Sequence, residues 1–120
     1  MTGRAADPAC VFCRIVAGEI PSTRVVEDDA VIAFRDIAPK APIHVLVIPR
    51  EHIPSAADLT EEDGPVLGRL FATAAGVARS EGIADAGYRI VTNIGALGGQ
   101  TVDHLHFHVM GGRQFRWPPG

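Results

Sequence analysis

Val11, Phe12, Ile15 and Val16 repeat at the spacing of one helical face, Gly18 can take the left-handed stop, and Pro21 prevents continuation. A short first helix is predicted there. The period then changes: residues 24–27 and 31–35 are rich in β-formers and are separated by Asp28-Asp29, a turn signal, which predicts a hairpin. After the Pro39 and Pro42 loop, residues 44–48 form a third strand closed by Pro49. Val66, Leu67, Leu70, Phe71, Ala74, Val77 and Ala78 then make one apolar stripe that ends before Gly82. Thr60 can cap this long helix, but Pro65 fits only in a first turn and so allows a start as late as Gly64. Residues 88–94 read as a fourth strand, 95–99 as a glycine-rich loop and 102–110 as a fifth strand before the Gly111-Gly112 turn. Short connections imply antiparallel pairing, with the short and the long helix covering one face of the sheet. The class is α+β.

Composition narrows the function classes. A chain of 120 residues, 47% apolar and 21% charged, fits a single domain over 1–120, with a flexible N-terminus of about eight residues and a tail at 113–120. Net charge −3 gives no footprint for gripping a nucleic-acid backbone, so nucleic acid is not an expected partner. The most apolar stretch, 41–49, carries His44 and two prolines and is too short to span a bilayer, so no membrane association is expected. The first residues lack the apolar segment of a secretion signal, and two cysteines are too few for a disulfide framework. A cytoplasmic location is expected.

The densest chemistry lies near the C-terminus. In 102–110, His104, His106 and His108 occupy alternate positions while Leu105, Phe107 and Val109 fill the others. On a strand this makes one face all imidazole, with the outer two backbones roughly 13 Å apart, too far for one metal to collect all three. Imidazole is a nucleophile and an acid or base near neutral pH, which suits attack on phosphorus followed by protonation of a leaving group. The glycine-rich loop just upstream allows backbone amides to approach phosphate oxygens, although by itself it reads equally as a plain turn.

With this motif, H104-L-H-F-H-V109, the sequence resembles the histidine triad family. The resemblance extends through E27-D-D, A33-F-R-D-I37, A41-P-I-H-V-L-V-I-P49, Y88-R-I-V-T-N-I-G95, G98-G-Q-T-V102 and the tail G111-G-R-Q-F-R-W-P-P-G120, and it is nearest to the Hint branch. It implies a purine nucleoside phosphoramidase that cleaves P–N or acyl-phosphate bonds of nucleotide conjugates through a nucleotidyl-histidine. His106 matches the nucleophile, His108 the leaving-group side of the triad, and His44 a histidine that orients His108. Asn93, Gly99 and Thr101 match phosphate-binding positions, and Asp36 matches the carboxylate that binds the ribose hydroxyls. Phe12, Ile15, Phe34, Ile37 and Leu46 match the base pocket, although apolar residues at such spacing also read simply as core. Thr101 stands where the pattern usually has Ser, and Asp103 where it often has an aromatic. Dinucleoside polyphosphate hydrolysis and a nucleotide-sensing interaction protein with vestigial catalysis are the competing readings. The resemblance also implies a homodimer with a continuous ten-stranded sheet, in which Trp117 reaches the partner's active site; an exposed sheet edge points the same way.

Cys10 and Cys13 have a spacing familiar from zinc sites but supply only half of a tetrahedral set. With His44, His106 and His108 already placed, His52 and His104 complete a closed, structural Cys2His2 zinc site, as in some bacterial members of the family. Two buried reduced thiols and a redox pair are the other readings.

Overall fold

The computed structural model describes residues 4–120, so residues 1–3 of the expected flexible N-terminus lie outside the described residues. Two helices and five strands follow in the order α1 (Val11–Val16), β1 (Arg24–Glu27), β2 (Val31–Arg35), β3 (Ile43–Pro49), α2 (Gly64–Ser80), β4 (Tyr88–Val91) and β5 (Phe107–Gly111). The strands pair antiparallel throughout, in the spatial order β1-β2-β3-β5-β4. The start of α2 follows from Pro65: a 3-10 turn over Glu61–Asp63 carries a capping box between Thr60 and Asp63, and the α-helix opens one residue before the proline.

The two helices lie on opposite faces of the sheet, not on one. Val31, Ala33, Val45, Val47, Phe107 and Val109 pack with Leu70, Ala74, Val77 and Ala78 of α2. The alternate residues Ile32, Phe34, Leu46 and Ile48 pack with Phe12, Cys13 and Ile15 of α1. Strand alternation sends adjacent side chains to opposite faces, and β2 and β3 are apolar at both sets of positions, so each face demands a cover. Leu70 is fully buried, and truncation to Ala there costs about 2–5 kcal/mol. Gly111 marks a close approach, since a Cβ there would sit 2.6 Å from Ile83 Cδ1.

β4 and β5 are both shorter than their sequence patterns suggest. β4 ends at Val91, before Ile94, and β5 begins at Phe107, so His104 and His106 precede the strand. The three imidazoles therefore do not line one strand face. That departure lets His104 turn away from His108 toward the N-terminal cysteines.

Candidate active site and metal centre

Backbone groups decide which nitrogen of each imidazole carries its proton. The Lys40 N–H donates to His44 Nδ1 at 2.9 Å, so neutral His44 holds its proton on Nε2. That proton is donated to His108 Nδ1, 2.9 Å away, which leaves His108 with its own proton on Nε2. His106 Nδ1–H donates to the carbonyl oxygen of His104 at 2.7 Å, leaving Nε2 with the free lone pair.

Burial keeps His44 and His108 neutral. Desolvation pulls His44 below the usual histidine range, outweighing the Asp36 carboxylate that favours its charged form. Desolvation, reinforced by His106 and His44, pushes His108 down to about 4. Asp36 Oδ2, 3.3 Å from His44 Nε2, is therefore a neighbour of a neutral ring rather than half of an ion pair. Asp36, His44 and His108 lie close enough together for a metal, but His44 Nε2 is protonated and lacks the lone pair that ligation needs.

A cleft of about 320 Å³ opens beside His106 and His108, walled by Phe12, Ile15, Phe34 and Leu46 with Asp36 and Thr101 at its margin. The Phe12 ring stands perpendicular to His106 at 5.1 Å and edge-on to Phe34 at 5.6 Å. α1 supplies the first two walls, while β2 and β3 supply Phe34 and Leu46 as cross-strand partners. Leu46 in turn pairs with His108 of β5, so the sheet register places the apolar wall against the triad. Ile37 also lines the cleft but is 99% exposed, a rim residue rather than a wall.

The HIT domain family matches residues 17–115, a span that contains His44, the cleft strands and all three triad histidines. The chain belongs to the HIT family. It is 48% identical to the purine nucleoside phosphoramidase of Escherichia coli (strain K12), over 86% of this chain and 87% of that protein. It is 50% identical to a 14 kDa zinc-binding protein of Brassica juncea, over 92% of this chain and 98% of that one. The crystal structure of a HIT family hydrolase from Legionella pneumophila Philadelphia 1 superposes with a TM-score of 0.91 at 48% identity, covering 92% of this chain and 99% of that one. The chain is a hydrolase of the HIT family, with its five-stranded antiparallel fold.

The fold of this HIT family chain also brings Cys10 and Cys13, which precede the matched span, together with His52 and His104 in one cluster. His104 Nδ1 lies 3.3 Å from Cys10 Sγ, 3.6 Å from Cys13 Sγ and 3.3 Å from His52 Nδ1, and Cys13 Sγ lies 3.3 Å from His52 Nδ1. A tetrahedron with ordinary zinc bond lengths has edges of about 3.3 Å between two nitrogens and about 3.6 Å between nitrogen and sulfur. The donor set fits zinc in type and size. His104 Nε2–H donates to the Pro49 carbonyl at 2.9 Å, which turns the Nδ1 lone pair into the cluster. Cys10 caps α1 by accepting the Cys13 N–H, and Arg4 anchors the preceding chain to Asp63 at 3.0 Å and to the residue beside His52, Glu51.

Asn93 and Gly99 sit beside each other, with Asn93 Nδ2 donating to the Gly98 carbonyl at 2.8 Å. The glycine-rich loop closes on itself: the Gly95 amide donates to Gln100 Oε1 and the Gly99 amide to the Ala96 carbonyl, so neither is free for phosphate in this conformation. Sequence reasoning missed Lys40, whose amide sets the His44 tautomer, and the carbonyl of Pro49; main-chain groups carry no residue signature. It also missed Arg89, which lines a cavity beside His108. The alternation of β4 offered that signal, since Tyr88 and Ile90 pack against the α2 core and Arg89 must face the other way.

Proposed function

We propose that this protein hydrolyses purine nucleoside 5′-phosphoramidates and related acyl-nucleotide conjugates through a nucleotidyl intermediate on His106. The observation that carries the reading is the hydrogen bond from His106 Nδ1 to the His104 carbonyl, which leaves Nε2 unprotonated in a ring that lines the cleft. The likeness to a purine nucleoside phosphoramidase supports the same chemistry.

In the first step the His106 Nε2 lone pair bonds to the α-phosphorus as the P–N bond breaks. The bonding pair leaves with the amine, which takes the proton of His108 Nε2. The negative charge that builds on His108 is stabilised by the His44 Nε2–H donated to its Nδ1. Water then attacks phosphorus, the pair of the P–His bond returns to His106 Nε2, and the water proton restores His108. Phe12, Ile15, Phe34 and Leu46 receive the base, Ile37 edges it, Asp36 accepts hydrogen bonds from the ribose, and Asn93 and Thr101 hold phosphate oxygens, joined by the Gly99 amide once it releases the Ala96 carbonyl.

Cys10, Cys13, His52 and His104 would hold zinc, and with all four positions filled by protein the ion supplies structural cohesion rather than a reactive site. Assay of adenosine 5′-phosphoramidate with wild type and His106→Ala tests the function: turnover by the wild type alone supports it, and full turnover by the variant rejects it.

A further inference from the structure

His108 lines two cavities. One is the apolar cleft described above; the second, about 330 Å³, shares only His108 with that cleft and is lined by His44, Asn93, Lys40, Arg89, Arg113 and Phe115 among others. A leaving group protonated by His108 and expelled away from the base cleft enters this second cavity.

The charge in that cavity is uncompensated. Arg4, Arg14, Arg24, Arg35, Arg50 and Arg69 each reach a carboxylate at 2.6–3.4 Å. Among the described residues, Lys40, Arg79, Arg89, Arg113 and Arg116 have no such partner; three of these five, Lys40, Arg89 and Arg113, line the cavity, and no Asp or Glu does. These three hydrogen-bond only carbonyl oxygens: Lys40 Nζ to Ala38, Arg89 Nη2 to Arg116, and Arg113 Nε to Lys40 and Nη1 to Gln114. The Phe115 ring holds the two guanidiniums together, with Arg113 Cζ 4.2 Å and Arg89 Cζ 5.2 Å from its centroid. In a chain of net charge −3, three cations converge on a cavity with no carboxylate in its lining, and the one nearby, Asp36, faces the base cleft, so the cavity forms a receptor that lacks its ligand.

We infer that Arg89, Arg113 and Lys40 select leaving groups carrying an oxyanion, in the first instance amines that bear a carboxylate. The inference rests on the phosphoramidase reading and adds to it the class of leaving group. Guanidinium donors match a planar carboxylate in a two-point geometry, so the preference acts on leaving-group position as well as on encounter.

Three adenosine 5′-phosphoramidates of similar size test it, made from glycine, glycinamide and ethylenediamine and so carrying an anionic, a neutral and a cationic leaving amine. For the wild type at low salt, kcat/KM for the glycine conjugate exceeds that for the glycinamide conjugate by about tenfold, with the ethylenediamine conjugate lowest. The preference shrinks as ionic strength rises. The glycine-to-glycinamide ratio falls several-fold in Arg89→Gln and Arg113→Gln and is retained in Arg113→Lys; because it is a ratio within one variant, any loss of folded protein cancels. Equal turnover of all three conjugates, or a ratio untouched in the Arg89→Gln/Arg113→Gln double variant, overturns the inference and leaves the phosphoramidase reading standing. Turnover of none of them rejects that reading, and the inference with it.

Discussion

The carbonyl oxygen of His104 accepts the Nδ1 proton of His106 at 2.7 Å, while the His104 ring sits 3.3 Å from Cys10 Sγ and from His52 Nδ1. One residue thus belongs to the Cys/His cluster by its side chain and fixes the tautomer of His106 by its backbone. Anything that loosens the cluster loosens the orientation of His106 Nε2, two residues along the chain.

Cys13→Ser is accordingly expected to lose most of about one zinc per chain, to lower the melting temperature, and to reduce kcat more than it changes KM. Elemental analysis of protein purified without added metal, combined with steady-state kinetics, checks all three. A zinc content near zero in the wild type rejects the structural zinc, and an unchanged kcat in a zinc-free variant removes the link to His106.

His106→Ala is expected to lose at least about 10³-fold in kcat, since no other free imidazole lone pair replaces the nucleophile. Quenching a single turnover with labelled substrate and mapping the adduct by mass spectrometry locates the intermediate. Label on a different residue contradicts the assignment.

Acid is expected to destabilise the fold before its carboxylates titrate. His108 remains neutral in the folded protein down to about 4 but takes up a proton near 6.5 once unfolded, and His44 shifts in the same direction. Between those values the unfolded chain binds more protons, so stability is full above about pH 6.5 and is lost as pH falls toward 4. Denaturant melts from pH 7.5 to 4.5 measure this slope, and His108→Gln flattens it; an identical slope in that variant contradicts the origin proposed here.

A homodimer is expected, with Trp117 of one copy reaching the leaving-group side of the other, while Arg113 and Phe115 line the cavity beside the His108 of their own chain. Phe71 on α2 is 50% exposed and Trp117 in the tail 84% exposed, and β4 is an edge strand. Sedimentation at micromolar concentration gives the mass of two chains if this holds and of one chain if it does not. Trp117→Ala in the full chain, which leaves Phe115 and the Arg116 carbonyl in place, is expected to change selectivity among amine leaving groups, and unchanged selectivity leaves Trp117 without that role.

The order and identity of the elements were legible in the sequence because they rest on local rules. The Asp28-Asp29 turn divides a hairpin whose observed strands, Arg24–Glu27 and Val31–Arg35, match the pattern, and Pro65 bounded the start of α2 between Thr60 and Gly64, a choice the folded chain made at Gly64. The triad motif and the Cys10/Cys13 pair were equally readable, as chemistry concentrated in rare residue types. What alternation in 102–110 suggested, a straight row of imidazoles, held only from Phe107 onward, because pairing with β3 and β4 begins there. Upstream of that point the chain is free of the ladder, and the buried amide and carbonyl contacts of the loop decide where His104 and His106 turn. The opposite placement of α1 and α2, the His44 and His106 tautomers and the convergence of Lys40, Arg89 and Arg113 all depend on groups brought together from distant parts of the chain. Side-chain type is written in the sequence; the direction in which an imidazole proton or a guanidinium points is set by main-chain partners that only the folded sheet supplies.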